Sequence, residues 1–277
     1  AIAPSGTEAC WELADPAMTD IPTGFLYGNT DLTGTLKVGP AVGTIGNYAF
    51  AYSKLTGLDL SKASSLVEIG AWAFSDTDLG GTLVIPAKVT TIGAAAFYNT
   101  KLTGTLKVGP AVKTIGAYAF ADTKLTGLDL SEATSLVEIG GGAFSATDLA
   151  GTLVIPAKVT TIGARAFEDT KLTGLDLSEG DLARGDLPEG AFFGTNLVGS
   201  IVIPATVTTT DEAFTNTKLK GLDQSKATSL VEIRAAAFSA STDLGGKLVI
   251  PATRSRRSAL APSKTPTWHQ LGMRAGL

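Results

Sequence analysis

The chain has 277 residues, of which 44% are hydrophobic and 17% are charged, so it is too apolar for a disordered protein and too lightly charged for a coiled coil. The net charge is −4, and residues 253–277 hold five basic residues and no acidic one, which leaves the rest of the chain at −9. An acidic body argues against nucleic acid as a partner, and the sequence has no run of 18 apolar residues that would predict a membrane span.

The first 31 residues precede the regular pattern. Residues 18–31 resemble half of a repeat unit and are predicted to shield the first coil, whereas residues 1–17 form either a cap or a frayed tail. The single cysteine, Cys10, excludes an intramolecular disulfide. Because the chain opens at Ala1 without the pattern of a signal peptide, we expect a processed chain or a fragment.

One apolar pattern then recurs every 22–25 residues from residue 32 to residue 252. Its two forms are seen in residues 102–124 and 125–148, and each has six apolar positions that begin with Leu and end with Phe. No single globular core spaces its aromatic residues so evenly, so the pattern predicts a solenoid of about 10 stacked coils. The recurring residues are Phe50, Phe74, Phe97, Phe120, Phe144, Phe167, Phe192, Phe214 and Phe238.

Local patterns within a unit predict strands and turns with little helix. Leu106 and Val108 alternate with polar residues as a short strand does, and Pro110 ends the strand pairing. The segment Ile-Gly-x-x-Ala-Phe then turns the chain, with glycine suited to a tight corner. Residues 32–101 and 102–171 align without gaps and differ at 13 of 70 positions, which indicates a recent duplication of a three-unit block.

Two strings connect the repeat to a known family. LTGLDLS and GTLVIPAKVTTIGAAAF resemble leucine-rich repeats, and the segment Ile-Pro-x-x-Val-x-x-Ile-Gly-x-x-Ala-Phe, at residues 85–97 and 155–167, resembles the BspA-type branch. The resemblance covers about residues 18–252. It implies an α/β-type, right-handed repeat solenoid with one parallel β-sheet, and a secreted or cell-surface protein of adhesion and recognition. The family often has Cys shortly after the Phe, where this chain has Thr100, Thr123, Thr147, Thr170 and Thr195.

Catalytic and metal-binding side chains are scarce. The one histidine, His269, lies in the tail far from Cys10, so a Cys–His dyad or a zinc site is implausible. The sequence has no phosphate-binding loop and no nucleophile elbow. We therefore predict that the protein is not an enzyme and has no cofactor and no metal.

The first candidate binding surface is the outward row of the predicted sheet, which we call the sheet-face row. It offers acidic and apolar groups to a protein or glycan, and the alternative is an ordinary solvated face. Parallel strands lie about 4.8 Å apart, so Asp59 and Asp129 are expected beside lysines, while aspartates two coils apart cannot share one calcium ion. The row comprises Lys37, Asp59, Val84, Lys107, Asp129, Val154, Asp176, Val202 and Asp223.

The second candidate surface lies two residues before each Phe. Its aromatic members, Tyr48, Trp72 and Tyr118, collect in the N-terminal half, and exposed Tyr and Trp can anchor a partner or only cover a corner. The second block has Gly142 where the first has Trp72, so the Trp72 ring is not essential to the fold.

The repeat stops within the unit that begins at Leu244. Residues 253–277 are predicted to be a disordered tail from a truncated or misread gene end, and the alternative is a basic tail for a membrane surface or an acidic partner. For the whole chain we predict a non-catalytic recognition or adhesion module at a cell surface. A fragment of a receptor ectodomain and a structural spacer without a ligand are the alternatives, and the oligomeric state stays open.

Overall fold

Three segments make up each coil, and each segment stacks on its counterpart in the next coil. The computed structural model describes residues 3–4, 10–13, 15–178, 182, 186–210, 212–223 and 232–233. Strands and turns account for this part of the chain, which contains no helix. The predicted solenoid is confirmed, whereas Phe238 and residues 253–277 lie outside the described residues.

The long-strand ladder contains the strands that the sequence predicted. Its repeat strands are parallel and aligned so that Leu36 lies opposite Leu58 and Leu106 lies opposite Leu128, which places like residues in columns. The strands are Cys10–Leu13, Thr33–Val38, Lys54–Asp59, Gly80–Gly81, Lys101–Lys107, Lys124–Asp129, Ala150–Val154, Lys171–Asp176, Val198–Val202 and Lys218–Asp223.

A short-strand ladder, which the sequence did not predict, runs along another side. Its strands form a seven-stranded and a three-stranded sheet, whereas the long strands are divided among four sheets of two to four strands, so the single predicted sheet is not continuous. The two-residue strands of the short-strand ladder align a buried isoleucine with the next, as Ile45 with Ile69 and Ile69 with Ile92. The strands are Asp20–Ile21, Thr44–Ile45, Glu68–Ile69, Thr91–Ile92, Thr114–Ile115, Glu138–Ile139, Thr161–Ile162, Asp186–Leu187, Thr209–Thr210 and Glu232–Ile233.

Glycine follows six of the ten short strands and allows two coils to approach closely. A Cβ atom on Gly70 would lie 2.7 Å from the Gly46 carbonyl carbon and the Asn47 nitrogen of the preceding coil. The φ angle of Gly70 is not in the left-handed region, so backbone contact, rather than the tight corner that we expected, requires glycine here. The same holds for Gly46, Gly93, Gly116, Gly140 and Gly163.

The third segment forms the turn column, where the predicted ladder of phenylalanines is confirmed. Eight rings, from Phe50 to Phe214, are buried and stacked with centroids 5.2–5.6 Å apart and planes within 12°. A buried threonine three residues after the ring closes the turn, as where Thr100 Oγ1 donates to the Phe97 carbonyl at 3.0 Å. This bond explains threonine at the position where the family often has cysteine.

Residues 10–13 and 15–31 form a full first coil, where the sequence predicted half of one. Cys10–Leu13 joins the long-strand ladder and Asp20–Ile21 begins the short-strand ladder. Phe25 meets Phe50 edge-on at 6.2 Å and 86°, which ends the stack of rings. The strand Ala3–Pro4 pairs antiparallel with Trp11 and Glu12 and covers the N-terminal edge of the ladder.

Candidate functional site: an aromatic strip on the turn column

Tight turns present side chains outward on both sides of each buried Phe. In the coil of Phe50, the Ala49 amide donates to the Gly46 carbonyl and the Ser53 amide donates to the Phe50 carbonyl. The third residues of these two turns, Tyr48 and Tyr52, have φ angles of 56° and 59°. A positive φ at the third position is what a type II turn requires.

The same backbone conformation recurs in every described coil from Phe50 to Phe214. The residues two before and two after the Phe all have φ between 50° and 69°. Glycine and asparagine adopt this conformation most readily, and a bulky residue costs on the order of 1 kcal/mol relative to glycine. Gly142 and Asn99 are therefore residues that the turn favours, whereas Tyr48, Tyr52 and Trp72 are not.

Five rings on four successive coils form a continuous surface, which we call the aromatic strip: Tyr27, Tyr48, Tyr52, Trp72 and Tyr98. Tyr48 and Trp72 are stacked, with centroids 6.1 Å apart and planes 5° apart. Tyr27 meets Tyr48 and Tyr52 edge-on at 6.2 and 5.5 Å, and Tyr98 meets Trp72 edge-on at 5.9 Å. The three N-terminal tyrosines are 41–56% exposed, so the strip faces solvent.

The structure therefore brings together two of the three predicted aromatic residues and leaves the third apart. The Tyr118 ring lies against Gly142 of the next coil, and no ring pair among the described residues joins it to the strip. The sequence analysis missed Tyr27, Tyr52 and Tyr98 because it followed only one position per coil. Their places one or two residues after Phe25, Phe50 and Phe97 were the available signal.

Carboxylates border the strip. Asp76 accepts hydrogen bonds from Asn99 Nδ2 at 2.7 Å and from Ser75 Oγ at 2.5 Å. The charge of Asp76 is the main cause that raises the pKa of the Tyr52 hydroxyl. Burial, followed by the charge of Asp122, raises the pKa of Tyr98. Both tyrosine hydroxyl groups therefore lie near a carboxylate.

No basic residue belongs to the turns that carry the strip. Residues 23–28, 47–52, 71–76, 94–99 and 117–122 contain neither Lys nor Arg. Lysines first follow four residues after the Phe, where Lys54 and Lys101 both pair with Asp78, at Nζ–Oδ distances of 3.7 and 2.7 Å. The strip is therefore aromatic and acidic, and a carboxylate already holds these lysines.

The sheet-face row lies on the long-strand ladder with the adjacency that the sequence predicted. Lys37 lies opposite Asp59, Lys107 opposite Asp129, Val154 opposite Asp176 and Val202 opposite Asp223. Val84 and Val154 are 58% and 50% exposed. Each of these four pairs thus places an aspartate beside a lysine or a valine of the neighbouring coil.

Three aspartates of the sheet-face row stabilise the turn that follows their strand. The Asp59, Asp129 and Asp176 carboxylates each accept the amide two residues later, at 2.8–3.0 Å, where the strand turns. Hydrogen bonds from Ser61 are the main cause that lowers the pKa of Asp59. The recurrence of aspartate in the row is therefore explained by the turn.

Neither a metal centre nor a membrane span is found in the described part of the chain. Its His, Cys, Asp and Glu side chains form no group of three that could hold an ion. The same residues include no helix of the length and apolar character that crosses a bilayer.

The two 70-residue blocks differ mainly beside the turn column. Nine of the 13 differing positions lie within three residues of a stacked Phe, although these windows hold only 21 of the 70 positions. The sheet-face row and the column phenylalanines are identical in both blocks. The nine pairs are Asn47/Ala117, Tyr52/Asp122, Ser53/Thr123, Ala71/Gly141, Trp72/Gly142, Asp76/Ala146, Ala95/Arg165, Tyr98/Glu168 and Asn99/Asp169.

Comparison with known proteins identifies the repeat. Residues 17–125 and 113–245 match the model of the BspA type leucine-rich repeat region, with six copies. No curated protein matches the sequence closely enough to count as a relative.

Several solved structures are similar at low sequence identity. A leucine-rich repeat protein from Eubacterium ventriosum is 21% identical with a TM-score of 0.43, over 84% of this chain and 70% of that one. The pneumococcal vaccine antigen PcpA is 21% identical with a TM-score of 0.46, over 78% of this chain and 50% of that one. A leucine-rich repeat protein from Bacteroides ovatus is 20% identical with a TM-score of 0.35, over 82% and 81%.

Proposed function

We propose that this chain, which belongs to the BspA-type leucine-rich repeat family, is a non-catalytic recognition module that binds a protein or glycan outside the cell or at its surface. The observation that carries the proposal is the aromatic strip. Its three N-terminal tyrosines are exposed to solvent, Trp72 and Tyr98 are half-buried, and Tyr48, Tyr52 and Trp72 lie at backbone positions that favour glycine or asparagine.

Stability does not account for the strip. Each ring pair contributes about 0.5–1.5 kcal/mol, which is offset by the cost of placing an aromatic residue at positive φ. The second block closes the same three coils with Gly142 in place of Trp72. Exposed, clustered Tyr and Trp side chains are the groups that carry most binding energy in protein interfaces.

The alternatives differ in what they explain. A spacer without a ligand gives no reason for exposed rings at strained positions, whereas a receptor ectodomain would use the strip in the same way. The location outside the cell rests on what the family resemblance implies. The sheet-face row stays a second candidate surface through Lys37, Val84, Lys107 and Val154, since turns explain most of its aspartates.

The test compares the wild-type chain with a strip variant that carries Tyr52→Asp, Trp72→Gly and Tyr98→Glu. These are the residues that the second block has at the same positions, Asp122, Gly142 and Glu168, so the variant is expected to fold. The probes are a displayed library of random peptides and an array of oligosaccharides. We expect ligands enriched by the wild type to be lost by the strip variant.

A second variant, Lys107→Gln with Val154→Thr, alters the sheet-face row alone and is expected to keep the ligands. Loss in this variant instead of the strip variant would move the binding site to the sheet. A wild-type chain that enriches no peptide and no oligosaccharide over the strip variant would overturn the recognition role of the strip.

A further inference from the structure

We infer that the aromatic strip takes arginine or lysine side chains of a partner protein, an inference that rests on the function proposed above. The strip combines ring faces, bordering carboxylates and a complete lack of basic residues in its own turns. These three features together are complementary to a cationic segment of polypeptide.

The ring planes of the strip stand in two orientations. Tyr48 and Trp72 are nearly parallel, and Tyr27 and Tyr98 stand at 75° and 66° to them. A cation is attracted to the face of an aromatic ring, most strongly to that of tryptophan, and a planar guanidinium can also stack on it. A corner between two rings therefore lets one cationic side chain contact both.

The carboxylates supply the opposite charge beside the rings. Asp76 is held in place by Asn99 and Ser75, which orient it without neutralising it. Asp122 is exposed two coils further along the same column, after Asn99. Because a guanidinium binds a carboxylate through two parallel hydrogen bonds, an arginine on the strip has a partner within the same surface.

The turn column of the second block shows an arginine beside carboxylates. Arg165 stands where the first block has Ala95, and its guanidinium lies 3.6 Å from Glu168 and 3.7 Å from Glu189. The turn column of the second block thus holds its own arginine between acids. The first block has Ala95 and Tyr98 at the positions of Arg165 and Glu168, so its turn column presents rings and Asp76 without a basic residue in the same turns.

A neutral glycan would use the rings but not the carboxylates, and an anionic glycan would be repelled by them. A basic protein segment uses both features. Binding of a glycan is therefore an alternative outcome of the test and not part of the inference.

The experiment uses two fluorescent peptides that differ only in charge. One is a Gly-Ser-spaced peptide with four arginines, and the other has citrulline, the neutral isostere, at the same positions. Fluorescence anisotropy measures their affinity for the full chain at fixed ionic strength. We expect the arginine peptide to bind the wild type about tenfold more tightly than the citrulline peptide.

The strip variant makes the test decisive, because it removes three rings and adds two negative charges. If the rings bind the cation, the arginine peptide binds the variant about tenfold more weakly than the wild type, in spite of the added charges. If only general acidity attracts the peptide, binding becomes tighter, which would overturn the inference. A melting curve of the variant confirms that it folds.

Two further outcomes separate this inference from the proposed function. Equal affinity for the arginine and citrulline peptides would show that charge is not recognised, which overturns the inference. A neutral oligosaccharide that binds through the strip, while neither peptide binds, would overturn the cationic partner and leave the recognition role intact. If no probe binds, both fail.

Discussion

Residues 32–101 and residues 102–171 fold into the same three coils, yet only the first block carries an aromatic surface. The six inward apolar positions of each coil and the sheet-face row are the same in both, and most differences lie beside the stacked phenylalanines. The comparison teaches that stacking fixes the interior, whereas the outward positions of the turn column can exchange Trp72 for Gly142.

The physical reason is the number of neighbours. An inward side chain contacts the same residue of the coil above and the coil below, so a change there has to fit two neighbours at native packing density. An outward side chain at a turn has solvent on one side, and its backbone conformation even favours residues without a large side chain. Equivalent inward substitutions are therefore expected to have equal effects in the two blocks.

The largest effect is expected in the Phe column, and it should be equal in the two blocks. Phe74→Ala and Phe144→Ala each remove a ring that is stacked on both sides, with centroids 5.3–5.5 Å away. Each is expected to lower the free energy of unfolding by about 3–5 kcal/mol, as measured by denaturant unfolding. Losses that differ by more than about 2 kcal/mol would mean that the two interiors are not equivalent.

The next effect concerns the close approach of coils. Gly70→Ala and Gly140→Ala would each place a Cβ within 2.7 Å of the preceding glycine carbonyl carbon, so each is expected to cost about 1–3 kcal/mol. Gly43→Ala is the matched control, because its Cβ would have 3.4 Å to the nearest atom. Denaturant unfolding should show no loss for this control. A loss as large as that of Gly70→Ala would contradict the contact explanation.

One interior difference between the blocks predicts a smaller effect. The buried Ser53 hydroxyl has no hydrogen-bond partner, whereas Thr123 Oγ1 donates to the Phe120 carbonyl at 2.9 Å. Ser53→Thr is therefore expected to raise the free energy of unfolding by about 1 kcal/mol, and Thr123→Ser to lower it by a similar amount. Thermal melting measures both. If Ser53→Thr does not raise the free energy of unfolding while Thr123→Ser lowers it, the Ser53 hydroxyl has a hydrogen-bond partner in solution.

The smallest effect is expected at two lysine–aspartate pairs. A hydrogen bond from Lys101 is the main cause that lowers the pKa of Asp78, and Lys171 does the same for Asp148. A lowered pKa contributes stability above about pH 4, and this contribution is lost as the pH falls through the folded-state pKa. Asp78→Asn and Asp148→Asn should each cost less than about 1 kcal/mol at pH 7 because the pairs are partly exposed. The difference from wild type should vanish near pH 2, and one that persists there would contradict the charge explanation.

The sequence predicted the features that depend on one residue per coil. The 23-residue spacing of phenylalanine predicted the ring column, because no other arrangement buries so many evenly spaced rings. The alternation around Leu106 and Val108 predicted the long strands. The adjacency of Lys37 and Asp59 followed from the same register, and the structure shows it.

Other features could not be seen one coil at a time. The short-strand ladder has two residues per strand, too few for any alternation to be recognised. The first coil begins at Cys10 in a segment without the repeat pattern, and its strand exists because the edge of the ladder pairs with it. Glycine is required after the short strand because backbone atoms of the neighbouring coil leave no room for a Cβ atom.

By itself, the sequence determined that this protein is a stacked solenoid with a buried column of phenylalanines, because periodic burial of apolar residues is written in their spacing. Only the tertiary structure decided which exposed residues act together. Tyr27 and Tyr52 follow the Phe of their coil by two residues and Tyr98 follows it by one. They lie up to 71 residues apart, and the stacking of coils brings Tyr27 to Tyr52 and Tyr98 to Trp72. The physical reason is that stacking aligns the turns of successive coils in space. A contact between two such turns leaves no recognisable pattern in the sequence of either turn.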